Sequence, residues 1–554
     1  MIFMEKTIVR LVRIYSVLFS CLALAYAGRA QSISNVPIHG NTQMDAQYYQ
    51  NDPAIGAPEV PEQMLFNGFT NFTYEQDNFS AGLRYEAYLD PILGYDARYE
   101  GNGIPYRYLT YRNNELEVTA GNFYDQFGMG MALRAYNEWG LGFDNSIDGL
   151  RIKYQPVRGV SFKGLVGKQR DFWTKGVGIV RGADAEWNLN EFFNPDTARK
   201  SQWIIGGSFV SKFQADEDPT YILPQNVATG GGRLSYARGG FTAYGEYVFK
   251  SGDPSTSNNF IFKDGQAMFV NLGYTQKGLG ITASTKWLDN MSFRSDRYAS
   301  VNSLLINYMP AITKNHTYLL AAFYPYATQL NGEFGAQAEV FYHLPKDLSF
   351  AGPYGTDFTF NYSRTQAIDK QPITSGVDTA LGYTTNLFSI GQEIYYEDFN
   401  VTIDRKVNKK LRTILTYMYQ NYNKDQIEGR VGFGHVYSNI LILETQYKIT
   451  PKKSLRTELQ VLITEQDQGS WGVALIEYSI APHWFVAAFD QYNYGNPIPA
   501  KQLHYYTGQV GYTRGANRVT IGYGRQRAGI LCVGGVCRQV PSASGVTLSV
   551  TSSF

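Results

Sequence analysis

Gly545-Val-Thr-Leu-Ser-Val-Thr-Ser-Ser-Phe554 sets apolar side chains at Val546, Leu548, Val550 and Phe554 and small polar ones at Thr547, Ser549, Thr551 and Ser553. The period of two predicts a strand with one apolar and one wet face. An amphipathic strand that ends on a carboxy-terminal aromatic is the usual last strand of a bacterial outer-membrane β-barrel, so this stretch bears on compartment, solvent and fold class together. Ser552 stands where an aromatic often lies, third from the end, and a soluble edge strand would show the same alternation.

The amino terminus points the same way. Lys6, Arg10 and Arg13 precede the apolar run Ile14 to Ala27, followed by Gly28-Arg29-Ala30-Gln31. This is the pattern of a secretory signal peptide. Residues 1–30 are expected to be cleaved, after Ala27 or Ala30, leaving 31–554 as one domain. The run falls short of the roughly 20 residues a spanning helix needs. Leu18-Phe19-Ser20-Cys21 faintly resembles a lipoprotein box, but the apolar run continues through Leu22-Ala23-Leu24-Ala25, which argues against lipidation at Cys21.

Mean hydropathy of −0.28 would suit a soluble protein, yet 43 Tyr, 33 Phe and 55 Gly point to many strands and tight turns. Barrels have this soluble-looking average because lipid-facing and lumen-facing residues alternate. A net charge of +1 implies neither nucleic acid nor an anionic surface as partner; outer-membrane lipid is the expected surroundings.

Period two persists along most of the chain. Leu83, Tyr85 and Ala87 alternate with Arg84, Glu86 and Tyr88; Leu150, Ile152 and Tyr154 alternate with Arg151, Lys153 and Gln155. Charges at alternate strand positions throughout require a wet interior. Short connections at 76–78, 112–114, 156–159, 238–240, 450–453 and 514–517 alternate with long ones at 48–63, 89–104, 124–148, 169–180, 212–228, 251–264, 365–386, 423–433 and 526–544. Short periplasmic turns and long extracellular loops are the asymmetry of an outer-membrane barrel. The expected fold is therefore all-β: a single large antiparallel transmembrane barrel of about 26 strands, range 22 to 26 and even in number. Residues 288–332 and 343–390 have poor periodicity, and 190–201 is long for a turn.

The first strand is expected near Ile38, leaving no room for an amino-terminal plug domain. A barrel of this size encloses a lumen wider than its own side chains fill, so a loop must narrow it. The segment Tyr124 to Asp148 is the candidate, with Asp125, Arg134, Glu138 and Asp144 as a constriction of both signs; an ordered extracellular loop with internal salt bridges is the plainer alternative. Arg84, Glu86, Arg151 and Lys153 are expected to line the lumen, where interstrand ion pairing is their plainer role.

Cys21 would leave with the signal peptide, so Cys532 and Cys537 are the mature cysteines, and Gly534-Gly535 between them lets the chain reverse to form a disulfide. That hairpin tip, flanked by Arg525, Arg527 and Arg538, reads as protection of an exposed loop or as a platform for a partner. The pair is poor evidence for a metal, lacking further ligands nearby.

No Gly-x-Ser-x-Gly elbow, Walker loop or His-Glu-x-x-His motif is present, and His39, His316, His343, His435, His483 and His504 are scattered singly. Gly176-Val-Gly-Ile-Val-Arg-Gly lacks dinucleotide spacing and is expected in a loop. Neither enzyme activity nor a cofactor or metal site is expected.

Gly40-Asn-Thr-Gln-Met-Asp-Ala-Gln-Tyr-Tyr, Gly82-Leu-Arg-Tyr-Glu-Ala-Tyr, Gly121-Asn-Phe-Tyr-Asp-Gln-Phe-Gly-Met-Gly with Leu133-Arg-Ala-Tyr, Gly167-Lys-Gln-Arg and Cys532-Val-Gly-Gly-Val-Cys-Arg resemble an uncharacterised family of exported proteins from Bacteroidota. The resemblance spans nearly the whole mature chain and implies a full-length barrel in the outer membrane of a Gram-negative bacterium, with no established activity. Two functions are expected from different classes: a loop-constricted channel for hydrophilic solutes, or a non-conducting scaffold that binds another envelope protein in export or assembly.

Overall fold

The computed structural model describes residues 38–193, 201–300, 302–346, 348, 350–533 and 536–554; the expected signal peptide lies outside them. Among the described residues, 24 antiparallel strands form one sheet that closes on itself. The first eight are β1 (Ile38–Tyr49), β2 (Met64–Gln76), β3 (Phe79–Leu89), β4 (Gly101–Arg112), β5 (Leu116–Phe123), β6 (Ile147–Val157), β7 (Val160–Asp171) and β8 (Thr174–Asn188). The wall continues through β9 (Ser201–Phe213), β10 (Asn226–Arg238), β11 (Phe241–Lys250), β12 (Gly265–Gln276), β13 (Leu279–Asp289), β14 (Gly332–Leu344), β15 (Thr356–Gln366) and β16 (Ile394–Lys406). It ends with β17 (Leu411–Asn423), β18 (His435–Thr450), β19 (Lys453–Ile463), β20 (Trp471–Ile480), β21 (Trp484–Tyr492), β22 (His504–Arg514), β23 (Asn517–Gln526) and β24 (Ala543–Ser553).

The opening stretch makes the seam. β24 pairs with β23 on one side and with β1 on the other, from Asn41↔Ser553 to Tyr49↔Gly545. Gly40 and Phe554 exchange two backbone hydrogen bonds, 2.9 and 3.0 Å, so no strand edge is left at the seam. Opposed residues share a face: Val519, Ile521 and Tyr523 of β23 stand against Val550, Leu548 and Val546 of β24. The β23 trio is exposed, as are Leu150, Ile152 and Tyr154 of β6. Large apolar side chains facing outward on separate parts of the wall, with Arg84, Glu86, Asp184 and Arg233 buried inward, are the inverse of a soluble fold and match a lipid-embedded barrel. This is a large outer-membrane β-barrel.

The strand number lies within the expected range of 22 to 26 and two below the expected figure of 26. The described residues of 290–331, within one of the two stretches of poor periodicity, add no strand to the wall. A second difference concerns 169–180: β7 and β8 are joined by Phe172-Trp173 alone, and the glycine-rich run 176–182 is strand rather than loop. Gly178 explains the composition, because a Cβ there would meet the Ser295 carbonyl oxygen at 1.9 Å; the strand carries glycine where another backbone presses on it.

That other backbone belongs to the filling of the lumen. The segment 124–146 and the segment 290–331 both turn inward. Phe127, Met131 and Leu133 of the first and Phe293, Ile306 and Met309 of the second share one buried apolar cluster with wall residues Leu165, Val180, Val210, Val227, Val248 and Leu288. Arg134 N–H donates to Ile306 O at 2.8 Å and Tyr308 N–H to Gly130 O at 2.9 Å. Farther along, Leu320, Phe323, Tyr324 and Tyr326 enter a second cluster with Met418, Tyr422, Ile440, Leu462 and Trp471. Segment 290–331 therefore crosses from the β7–β13 wall to the β16–β20 wall, and both clusters sit in the extracellular half.

Candidate functional site

The expected lumen charges fall into two groups. In the first, Arg84 and Glu86 point inward from alternate positions of β3, and their side chains pair at 2.7 Å. Arg170, at the outer end of β7, grips Glu86 at 2.6 Å and Asp144 at 2.8 Å, and Arg84 also binds Asp144. All four side chains are at most 6% exposed. Two guanidiniums and two carboxylates thus close a ring that joins the wall to segment 124–146. The Tyr124 hydroxyl donates to Asp144 at 2.9 Å and accepts from Arg84 at 3.2 Å. Its ring stacks on Tyr106 at 5.2 Å, and Arg84 lies over Tyr106 at 4.9 Å.

Burial alone would raise the Asp144 carboxyl, but Arg170 and Arg84 outweigh it and hold the group below the usual carboxylate range. Burial and the neighbouring Asp144 charge push the Tyr124 hydroxyl well up, so it remains a donor.

The second group lies nearer the periplasm. Arg151 reaches Glu117 at 2.7 Å and Asp125 at 3.4 Å, Lys163 reaches Asp125 at 3.1 Å, and Lys153 meets Glu117 at 3.3 Å. Arg134 and Glu138 do not join either group. Arg134 is sandwiched by Tyr136 and Tyr308, 4.4 and 4.1 Å from their centroids, and Glu138 sits half-buried in the two-residue pairing Asn137–Glu138 with Phe143–Asp144. Of the four residues expected to constrict the lumen together, only Asp144 enters the buried ring; Asp125 belongs to the lower group.

Arg170 and Tyr106 were not singled out from the sequence, and Tyr124 entered only as the first residue of the candidate segment. Arg170 falls where a loop is expected, and a tyrosine on a barrel strand carries no signal of which side it faces.

A hollow of about 620 Å3 opens below the ring, lined by Tyr106, Tyr108, Asn122, Tyr124 and Arg151. Above it lies one of about 310 Å3, lined by Tyr99, Asp144, Arg170, Asn302 and Arg538. Cys532 and Cys537 face one another across the hairpin Gly529–Val533 and Val536–Val540 and are disulfide-bonded. The hairpin roofs the outer hollow: the Asn302 amide donates to Cys537 O at 2.6 Å, and Arg538 covers Tyr95 at 4.2 Å. Among the described residues, no group of three or more His, Cys, Asp or Glu side chains is placed to hold a metal.

One family pattern extends over residues 4–554. The chain belongs to that family, a family of unknown function (DUF6029). No curated protein matches this DUF6029 member. Among solved structures it resembles the translocation pore of the P pilus usher PapC, at 10% identity over 93% of this chain and 99% of that one, TM-score 0.43. It also resembles a mutant ferric enterobactin receptor, PfeA, from Pseudomonas aeruginosa, at 11% identity over 94% and 81%, TM-score 0.41. A third is the outer membrane protein opdK from Pseudomonas aeruginosa, at 10% identity over 77% and 98%, TM-score 0.34. No role is taken from likenesses at this level, and the barrel assignment rests on the chain's own strand pairing.

Proposed function

We propose that this protein is a gated channel for small hydrophilic solutes in the outer membrane, closed at rest, with residues 1–30 a cleaved export signal and 31–554 a single barrel domain of an exported bacterial family. The observation that carries the reading is the Tyr124–Asp144 hydrogen bond. Tyr124 lines the inner hollow and Asp144 the outer one, so this side-chain contact lies between two cavities stacked along the lumen. The route would run beside β2 to β7, with Arg84, Glu86, Asp144 and Arg170 as its septum and Asp125, Arg151 and Lys153 along its inner approach.

The test is single-channel recording of the refolded full chain in a planar bilayer, with heat-modifiable gel mobility confirming closure of the barrel. The wild type should show rare brief openings, and Tyr124→Ala with Asp144→Ala should raise open probability at least tenfold. A folded double variant that stays silent would overturn the channel.

A second reading has its own observation. Segment 290–331 packs apolar side chains against both walls of the extracellular half, which suits a non-conducting scaffold that binds another envelope protein. It predicts silence in both proteins and a partner that remains bound through purification.

A further inference from the structure

Beneath the second apolar cluster lies a hollow that the proposed route does not use. It measures about 740 Å3 and is lined by the inner ends of β15 to β20 and the turn 407–410. Its lining residue Arg456 pairs with Glu444, which also accepts from the Tyr318 hydroxyl of segment 290–331 at 3.1 Å, and Leu320 N–H donates to Gln460 at 2.8 Å. The cavity lies at the strand ends joined by the short turns 407–410 and 451–452, the periplasmic side of the barrel. Strand register turns Lys406, Arg412, Lys448 and Arg456 into it.

Its guanidiniums are already committed. Arg412 Nε binds Asp404 at 2.8 Å, and Arg456 binds Glu444 at 3.1 Å and also Glu458. Asp357 is taken by His343 at 2.6 Å. What is left is Lys406, Lys409, Lys410 and Lys448 facing one lining carboxylate, Glu477; among the described residues no ion pair engages these four lysines. Lys406 instead rests over the Tyr354 ring, 4.3 Å from its centroid.

We infer that this hollow binds a short acidic peptide segment presented from the periplasm. The four lysines are exposed, and like charges gathered on one concave surface concentrate a positive field at its mouth. A compact phosphoryl group is held best by forked guanidiniums, and here those are occupied. Separate ammonium groups on flexible stems, spread over the ends of two hairpins, match carboxylates spaced along an extended chain. The volume lies within the range of sites that enclose a drug-sized ligand, which admits a few residues and excludes a folded domain. The inference stands on wall charge and holds whether or not the barrel conducts.

The test uses the full chain in detergent micelles and a fluorescein-labelled hexa-aspartate peptide, read by anisotropy at low salt. Saturable binding is expected. It should weaken at least tenfold in the combined Lys406→Gln, Lys410→Gln and Lys448→Gln variant and stay unchanged in Lys501→Gln, on the opposite end of the barrel. Heat-modifiable mobility verifies that each variant is folded. As a second measurement, a hexalysine peptide should ignore the wild type and bind the variant carrying Lys406→Glu, Lys410→Glu and Lys448→Glu. No saturable binding to the wild type, equal binding by the glutamine variant, or tripolyphosphate binding that the peptide fails to displace would each overturn the inference.

Discussion

The Tyr124 hydroxyl donates to Asp144 Oδ2 at 2.9 Å, and Asp144 is held at the same time by guanidiniums from two different wall strands. A loop residue thereby ties a second loop residue to the barrel. Tyr124→Phe removes one hydrogen bond to a charged acceptor, a loss of about 1.5–3 kcal/mol, and leaves the ring stacked on Tyr106. Open probability in a bilayer should rise roughly tenfold or more, a tenfold change corresponding to about 1.4 kcal/mol. An unchanged open probability in Tyr124→Phe and in Tyr124→Ala alike would remove Tyr124 from the gate.

Asp144→Ala acts on charge rather than on a neutral donor. Arg84 and Arg170 would be left sharing Glu86 alone, and breaking a buried ionic group in this way costs about 3–5 kcal/mol. The temperature at which folded gel mobility is lost should fall measurably. Combined with Glu86→Gln, the loss should depart from the sum of the single losses, because the two carboxylates share partners; strict additivity would show that the ring does not act as a unit.

The acid response follows from the same pairings. A carboxylate held below its unfolded value contributes stability that is complete above roughly pH 4 and disappears only as pH falls through the lower folded value. Asp144 is such a group. Channel closure should therefore be constant between about pH 8 and pH 5 and loosen only in stronger acid. An opening midpoint near pH 6 would assign gating to another residue.

Phe323 is the anchor of the filling at the β16–β20 wall, buried and packed on Trp471 at 5.1 Å, with Arg527 over its face at 3.8 Å. Truncation to Ala should cost about 3–5 kcal/mol. Lys314, paired with Glu339 at 3.1 Å, lies within the same segment, and trypsin should cut there faster in Phe323→Ala than in the wild type. Equal rates would mean that the segment is held without this contact.

The hairpin disulfide closes a loop of only four intervening residues, and the entropic gain from so short a loop is small. Cys532→Ser with Cys537→Ser should leave the thermal transition of the barrel unchanged while exposing the hairpin to protease. A large fall in the transition would show that the hairpin holds the wall itself together.

The wall was legible in the sequence because each strand meets lipid on one side and the lumen on the other, which imprints period two on residues such as Leu150 to Tyr154. For 124–146 the sequence left an inward course and an ordered extracellular loop both open, whereas the hairpin cysteines could be read from local chemistry. Segment 290–331 could not, since it is enclosed on several sides and follows irregular backbone, so Ile306, Met309, Leu320 and Phe323 obey no period. Its imprint falls instead on its neighbours. Gly178 and Gly182 look like loop composition until Ser295 and Phe127 are seen pressing on them. The charge ring was half visible: Arg84, Glu86 and Asp144 stand out, but Arg170 was hidden in an apparent loop, and nothing in spacing joins residues more than 80 positions apart.

Segment 290–331 leaves the wall after Asp289 and returns at Gly332, and these two residues are paired directly across β13 and β14. Both stems of the insert therefore spring from one point on the rim. An insert rooted in this way would stay tethered to the barrel at both ends even if its packing were lost. Its return would then be a first-order event, indifferent to protein concentration and to the supply of any other component.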